Sequence, residues 1–314
     1  MARRILLLAV LAALIAPVSS PSTVAGALSH RHHRGRQTGA RLGRMGSFAV
    51  KCRYVGSAPV DPIVAPGVRP SGHRHDFFGN RTVSQFSTVS SMLAAFPDDA
   101  GCSDPKDTAG YWLPSLYVDG RQRLPLATAS PFTVYYTGVH LRSTPADAIH
   151  PPPRDLRLVA GHADARSGPF WHTELYWGCG HGSPLGGVTD HVPDCAGLPR
   201  PQHLELHVQF PECLAVDQRG DPVTDSPDHR RHAAYAVDGA CPADHPYAIA
   251  QVVERVRWDV PPHLDRHRVT LSSGEWWTMH GDYWQTWDDQ ELRARFRRCF
   301  TPPRHCGTQH GTLS

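Results

Sequence analysis

Eight cysteines, at positions 52, 102, 179, 195, 213, 241, 299 and 306, constrain the fold of this chain more than any other feature. What they mean depends on the compartment, because thiols pair in oxidising surroundings and elsewhere stay reduced or bind metals. The N-terminus speaks to that directly. Arg3 and Arg4 form a basic opening, Ile5 to Ala16 is an apolar run too short to cross a bilayer, and Ala25-Gly26-Ala27 supplies small residues for cleavage. Residues 1–27 therefore read as a secretory signal peptide. No Ser or Thr precedes the Arg pair, which favours the general secretory route over the twin-arginine route. In an exported chain an even cysteine count predicts disulfides. Cys179 with Cys195 and Cys299 with Cys306 each close a short loop containing Gly or Pro. Cys213 with Cys241 would clamp the loop bearing Asp228 and His232, leaving Cys52 with Cys102. A zinc-thiolate site lacks its paired C-x-x-C knuckle.

Residues 28–46 are His, Arg, Gly and Gln with few apolar side chains, too little to offset ordering entropy, and read as a disordered basic leader. Seven of the 32 Lys and Arg residues lie within residues 1–46, which hold no acid, leaving 25 against 29 Asp and Glu in the rest. The body is slightly acidic, so the basic overall balance is no nucleic-acid signature. Nor does any later segment have the length and apolarity of a membrane span.

Short alternating runs dominate that body. Phe48, Val50, Cys52 and Tyr54 alternate, as do Leu204, Leu206, Val208 and Phe210, while Phe132 to Leu141 and Arg268 to Ser272 read as further strands. Helices are expected from about Thr82 to Phe96 and from about Asp288 to Cys299, the second capped by Asp288. The expected fold is a mostly-β single domain over residues 47–300, a sandwich or jelly roll with a few helices and long disulfide-stapled loops, followed by a flexible tail at 301–314.

Three islands of histidine and acid carry the chemistry. His73 and His75 flank Arg74 and precede Asp76-Phe77-Phe78-Gly79-Asn80; on a strand both rings face one side, as metal ligands or proton-transfer pairs do, and Asp76 points away. Asp228, His229 and His232 form the second island. One helical turn there would place both rings on one side, or else Asp225, Ser226 and Asp228 serve as N-cap residues, with Pro227 suiting a helix start. His280 and Asp282 sit among Trp276, Trp277, Tyr283, Trp284 and Trp287, aromatics that suit either sugar stacking or a filled core. His203, Glu205, His207 and Gln209 share one strand face, as ligands or as a solvated surface. G-x-S-x-G, G-x-G-x-x-G, P-loop and H-E-x-x-H signatures are absent.

Many of these residues recur in a larger ordered pattern. Asp61-Pro62-Ile63-Val64, Ser71 to Asn80, Tyr111 to Tyr117, Tyr135-Tyr136, Phe210-Pro211-Glu212-Cys213, Asp225 to His232, Cys241-Pro242, His245-Pro246 and Ser272-Ser273-Gly274 through Asp282 together resemble the secreted bacterial and fungal family called domain of unknown function nineteen-ninety-six. The resemblance implies an extracellular domain, joined in some fungal relatives to carbohydrate-binding modules, and assigns no activity.

Two classes of function follow. One is an enzyme on an extracellular or cell-wall polysaccharide, hydrolase or lyase, with His73, His75, Asp76, Asp228, His229, His232, His280 and Asp282 as acids, bases or ligands of a divalent metal. The other is a non-catalytic wall- or glycan-binding protein in which the islands form an internal network. If the N-terminal reading holds, the protein collected from culture medium begins near Leu28. An intact mass retaining residues 1–27 would contradict it.

Overall fold

The computed structural model describes residues 45–96, 98, 100–128, 131–167, 174–180, 189–195, 203–261 and 263–308. The expected signal peptide and most of the leader lie outside them. Met45 packs on the core and Gly46 accepts a hydrogen bond from Gly138 N–H, so these two residues belong to the folded body rather than to a leader.

Strand β1 (Ser47–Cys52) follows from the alternation of Phe48, Val50 and Cys52, and β2 (Tyr54–Ala58) comes straight after it. The chain changes sheet between them at Arg53. Next come β3 (His75–Gly79), β4 (Gly110–Pro114), β5 (Phe132–Thr137), β6 (Arg157–Gly161), β7 (Leu175–Gly178), β8 (Leu204–Gln209), β9 (Gln251–Trp258), β10 (His280–Trp284) and β11 (His305–Thr308). One sheet has the order β11-β1-β5-β9-β8-β7 and a second the order β2-β3-β4-β10-β6; pairing is antiparallel throughout except between β1 and β11. Two smaller sheets join Cys213–Leu214 with Ala233–Ala234 and Tyr247–Ala248, and Leu116–Val118 with Arg121–Arg123, Val269–Leu271 and Gly274–Glu275.

The mostly-β expectation therefore holds, with few helices. The sandwich or jelly roll does not: the strands divide among four sheets, and none closes into a barrel or sandwich. The reason lies in how the five-stranded sheet is covered. One face packs on the six-stranded sheet, with Phe78 stacked on Phe132 at 4.1 Å between ring centroids. The other face is buried partly by loop and helix residues, Val60, Ile63 and Met92, around Phe77, Trp112, Val159 and Trp284.

All four expected disulfides form: Cys52–Cys102, Cys179–Cys195, Cys213–Cys241 and Cys299–Cys306. Cys52–Cys102 pins the corner where the chain changes sheet. Gly79 is required beside it, because its φ is +76° and an added Cβ would lie 2.6 Å from Cys102 Sγ. Cys306 and the pairing of His305 with Ser47 anchor residues that the sequence places in a flexible tail.

The helix expected over 82–96 shrinks to α1 (Val89–Leu93). Side chains of Ser84, Ser87 and Thr88 bond to nearby backbone or accept from it, offering an alternative to helix, and Thr88 forms a capping box with Ser91. Phe86 is consequently 71% exposed instead of facing a core. Helix α2 (Asp289–Cys299) starts where expected, with Asp288 accepting from Glu291 N–H, and buries Leu292, Phe296 and Cys299. Among the described residues no helix is long and apolar enough to cross a membrane.

Glu212 illustrates the polar cost of this core. It accepts from Ala236 N–H and Gln251 Nε2, yet burial pushes its carboxyl up to about 7. A carboxyl with a raised folded pKa binds its proton longer in the fold than in the unfolded chain, so its contribution is fully present below the ordinary range and lost as pH rises towards 7. Glu212→Gln should therefore flatten the fall in stability between about pH 4.5 and 7, by on the order of 3 kcal/mol. Denaturant unfolding of both proteins across that window measures it; parallel curves would contradict the assignment.

Candidate metal centre

Antiparallel register places paired residues on the same face of a sheet, and here it builds a site from the first and third islands. Phe77 lies opposite Trp112, Trp112 opposite Asp282, and Asp282 opposite Val159. One pleat further along, His75 lies opposite Pro114 and His280 opposite Gly161. His73 lies in the bend before β3 and brings its ring to the same place, its centroid 4.4 Å from that of the His75 ring and 4.9 Å from that of His280. The hydroxyl of Ser272 donates to the Arg74 carbonyl and accepts from Ser115 N–H, holding the His73-Arg74-His75 segment in place.

The three rings converge. His73 Nε2 lies 3.0 Å and His75 Nε2 3.4 Å from His280 Nε2. His75 Nδ1–H donates to the Val60 carbonyl and His280 Nδ1–H to the Thr278 carbonyl, both at 2.9 Å. These two bonds fix the tautomer: in each neutral ring Nε2 carries the lone pair, so His75 and His280 turn lone pairs towards one another with no proton between them. His73 can donate to His280 or turn its own lone pair inward. Burial holds all three rings in the neutral, ligating form: it lowers His73, drives His75 well below the ordinary range with help from His280 and His73, and takes His280 to about 3.

The spacing is that of nitrogens sharing one ion. With metal–nitrogen bonds of about 2.0–2.1 Å, two ligands stand roughly 2.9 Å apart at a right angle and roughly 3.4 Å apart at a tetrahedral angle. A carbonyl on the remote ring nitrogen is also the usual support of a metal-bound histidine.

Two carboxylates lie against one of the three rings. Asp61, His75 and Asp282 each offer a ligand atom, all within 4.8 Å of one another, as do His73, His75 and His280; His75 belongs to both groups. Asp61 Oδ1 accepts from Ile63 and Val64 N–H, which fixes its side chain at the start of the loop. Asp282 is fully buried with neither oxygen hydrogen-bonded, and burial pushes it well above the ordinary carboxyl range, assisted by the charge of Asp61. An unpaired buried carboxylate is costly, and a cation is the partner that removes the cost. Two aspartates also match the charge of a divalent ion. A third grouping, Cys52, Cys102 and Asp107, offers no thiolate because the cysteines are disulfide-bonded.

The second island does not enter the ring cluster. His232 is buried with both nitrogens engaged, Nε2 at 2.7 Å from the Arg157 carbonyl and Nδ1 at 2.9 Å from Ser226 Oγ. His229 Nδ1 pairs with Asp225 at 2.7 Å. Asp228 is exposed and organises a turn, accepting from Ser226 Oγ and from Arg230 and Arg231 N–H, bonds that hold its carboxyl below the usual range. No helix starts here, so neither the helical turn nor the expected helix cap forms, and Asp228 serves a turn instead. Arg230 is the residue of this island that reaches the site: its Nη1 lies 3.4 Å from the Val159 carbonyl, and its charge acts on His280 and Asp282.

Asp76, as period two predicts, points to the opposite face from His75. Its Oδ1 accepts from Ser57, Ser115 and Gln122, and burial raises its pKa to about 6 against the pull of those bonds. The strand face of Glu205, His207 and Gln209 is buried, not solvated, with His207 Nε2 at 3.0 Å from Glu205 and its ring stacked on Tyr176. Trp276, Tyr283, Trp284 and Trp287 are buried, Trp287 within a hydrogen-bonded group with Tyr111 and Tyr136, and Trp277 is partly buried against them, so most aromatics of the third island are core.

Residues 61–287 match the family described as Domain of unknown function (DUF1996). The chain belongs to that family. Neither a curated protein nor a solved structure matches it. The DUF1996 match begins at Asp61, a ligand candidate that reasoning from histidine islands passed over; its signal was its place at the head of the ordered family pattern.

The unpaired state of Asp282 has a measurable consequence. In chelated protein Asp282→Asn should hold or raise the melting temperature, because it removes an unpartnered buried acid. Membership of a satisfied hydrogen-bond network would instead make the change cost about 1–3 kcal/mol.

Proposed function

We propose that this chain is a metal-dependent enzyme of the extracellular space that acts on a polysaccharide, by hydrolysis or elimination. The observation that carries the reading is the convergence of three neutral imidazoles, two of them carbonyl-anchored, beside two buried aspartates. His73, His75 and His280 would hold a divalent ion, with Asp61 and Asp282 balancing its charge. Such an ion supplies a Lewis acid and acidifies bound water. The chain's own contribution is to fix the ligands, exclude bulk water from His75, His280 and Asp282, and leave His73, only half-buried, at the open side.

The export segment and the secreted character of the resembling family support an extracellular polymer as substrate. The competing reading, a glycan-binding protein with an exposed aromatic strip, loses its main support because Trp276, Trp284 and Trp287 lie in the interior. Metal analysis and a glycan-library screen for new reducing ends or unsaturated products test the proposal together. About one divalent ion per chain is expected, lost in His75→Ala and His280→Ala, with product formation abolished by chelator and restored by metal. Absence of a stoichiometric ion, or turnover indifferent to chelation, would overturn it.

A further inference from the structure

Beside the histidine cluster lies a cation with no acid of its own. Arg230 is half-buried, and among the described residues its one side-chain hydrogen bond is the 3.4 Å contact with the Val159 carbonyl. The acids of its own loop are engaged elsewhere: Asp225 pairs with Arg157 and His229, and Asp228 serves the turn and Arg231. Among the described residues no carboxylate stands within ion-pair distance of Arg230. A guanidinium withdrawn from water in this way favours an anion, above all a planar carboxylate that its donors can meet in pairs.

The space in front of it is a cavity of about 140 Å³, on the scale of a single sugar ring. Val159, Leu175, Pro211 and Ala233 give it apolar walls, and Glu174 and Tyr235 join Arg230 as its polar edges. Tyr235 donates its hydroxyl to the Gln209 carbonyl at 2.8 Å, so it offers the cavity mainly its ring. Gly161, which also lines the cavity, lies opposite His280 in the strand register. The cavity is thus lined by β6, which lies one strand spacing, about 4.8 Å, from the strand that carries His280 and Asp282. Gly161 has φ +78° and an added Cβ would lie 2.2 Å from the Met279 carbonyl oxygen, so no side chain can intervene there.

From this geometry we propose that the cavity is a subsite for a uronic acid unit, with Arg230 holding the sugar carboxylate next to the metal centre. A cation set among apolar walls selects the ligand class. A bare phosphate or sulfate leaves Val159 and Leu175 without a partner, whereas a uronate presents a carboxylate to Arg230 and its apolar ring face to Val159 and Leu175. The inference rests on the glycan reading above and specifies its substrate as acidic.

Glucuronate and glucose are a matched pair differing in that carboxylate, and titrating both into the full-length protein by ligand-observed NMR gives a test that no variant's folding can confuse. Wild type should bind glucuronate at least about tenfold more tightly than glucose. Arg230→Gln should abolish that preference while keeping its melting temperature and metal content, and Arg230→Lys should retain part of it. Repeating the titration in chelated protein separates the two proposals: the preference should persist without metal, so loss of metal-dependent turnover alone leaves the subsite standing. Equal binding of the two sugars, no binding of glucuronate, or a preference unchanged in Arg230→Gln would each overturn the subsite.

Discussion

The register of four antiparallel strands governs everything built on the outer face of the five-stranded sheet. Were β3 or β10 to slip by one residue, the period-two alternation would exchange His75 for Asp76 or His280 for Gly281, and no ring cluster could form. The register is held by the opposite face. Phe78, Tyr111 and Tyr283 pack against Phe132, Phe210 and Tyr136 of or beside the six-stranded sheet, and a one-residue slip would turn these large side chains away from their partners. Apolar packing on one face thus specifies polar chemistry on the other.

The polar face accumulates groups that burial disfavours. Asp61 and Asp282 are buried carboxyls raised by desolvation, and so, on the opposite face beneath β10, is Glu254, whose Oε2 lies 3.2 Å from where a Cβ on Gly281 would stand. Neither oxygen of Asp282 or Glu254 has a hydrogen-bond partner. A chain selected for stability alone would replace such groups with apolar ones of similar volume, which often stabilises a protein. Their presence beside three neutral imidazoles is the arrangement expected of a site that trades stability for a bound cation.

Much of this was legible in the sequence, and the misses have physical causes. Period two placed Asp76 away from His75, because a strand leaves side chains only two directions, whereas His73 joins His75 from the bend before the strand. Loop closure suggested two of the disulfides, Cys179–Cys195 and Cys299–Cys306, and the other two came from what those left over. The second island misled because Asp228, His229 and His232 are engaged by Ser226, Asp225 and the Arg157 carbonyl, while the functional candidate, Arg230, lies between them and carries no motif. Asp61 was hidden for a related reason: a lone acid before a proline looks like turn chemistry, and its Oδ1 indeed forms that turn. Aromatic density around His280 could not separate a sugar platform from a core, since both need the same side chains and differ only in burial. The expected helix over 82–96 failed where serine and threonine side chains competed for the backbone, and the four-sheet arrangement depended on which loops cover the five-stranded sheet, a choice that alternation within single strands does not encode.

The central claim is that imidazoles from two distant segments share one ion. X-ray absorption spectroscopy of protein loaded with one equivalent of zinc reads this directly. The account predicts a first shell of nitrogen and oxygen near 2.0–2.1 Å with the outer-shell scattering of about three imidazoles, reduced by about one imidazole in His73→Ala. A shell of oxygen alone, or imidazole scattering that survives replacement of both His75 and His280, would contradict it.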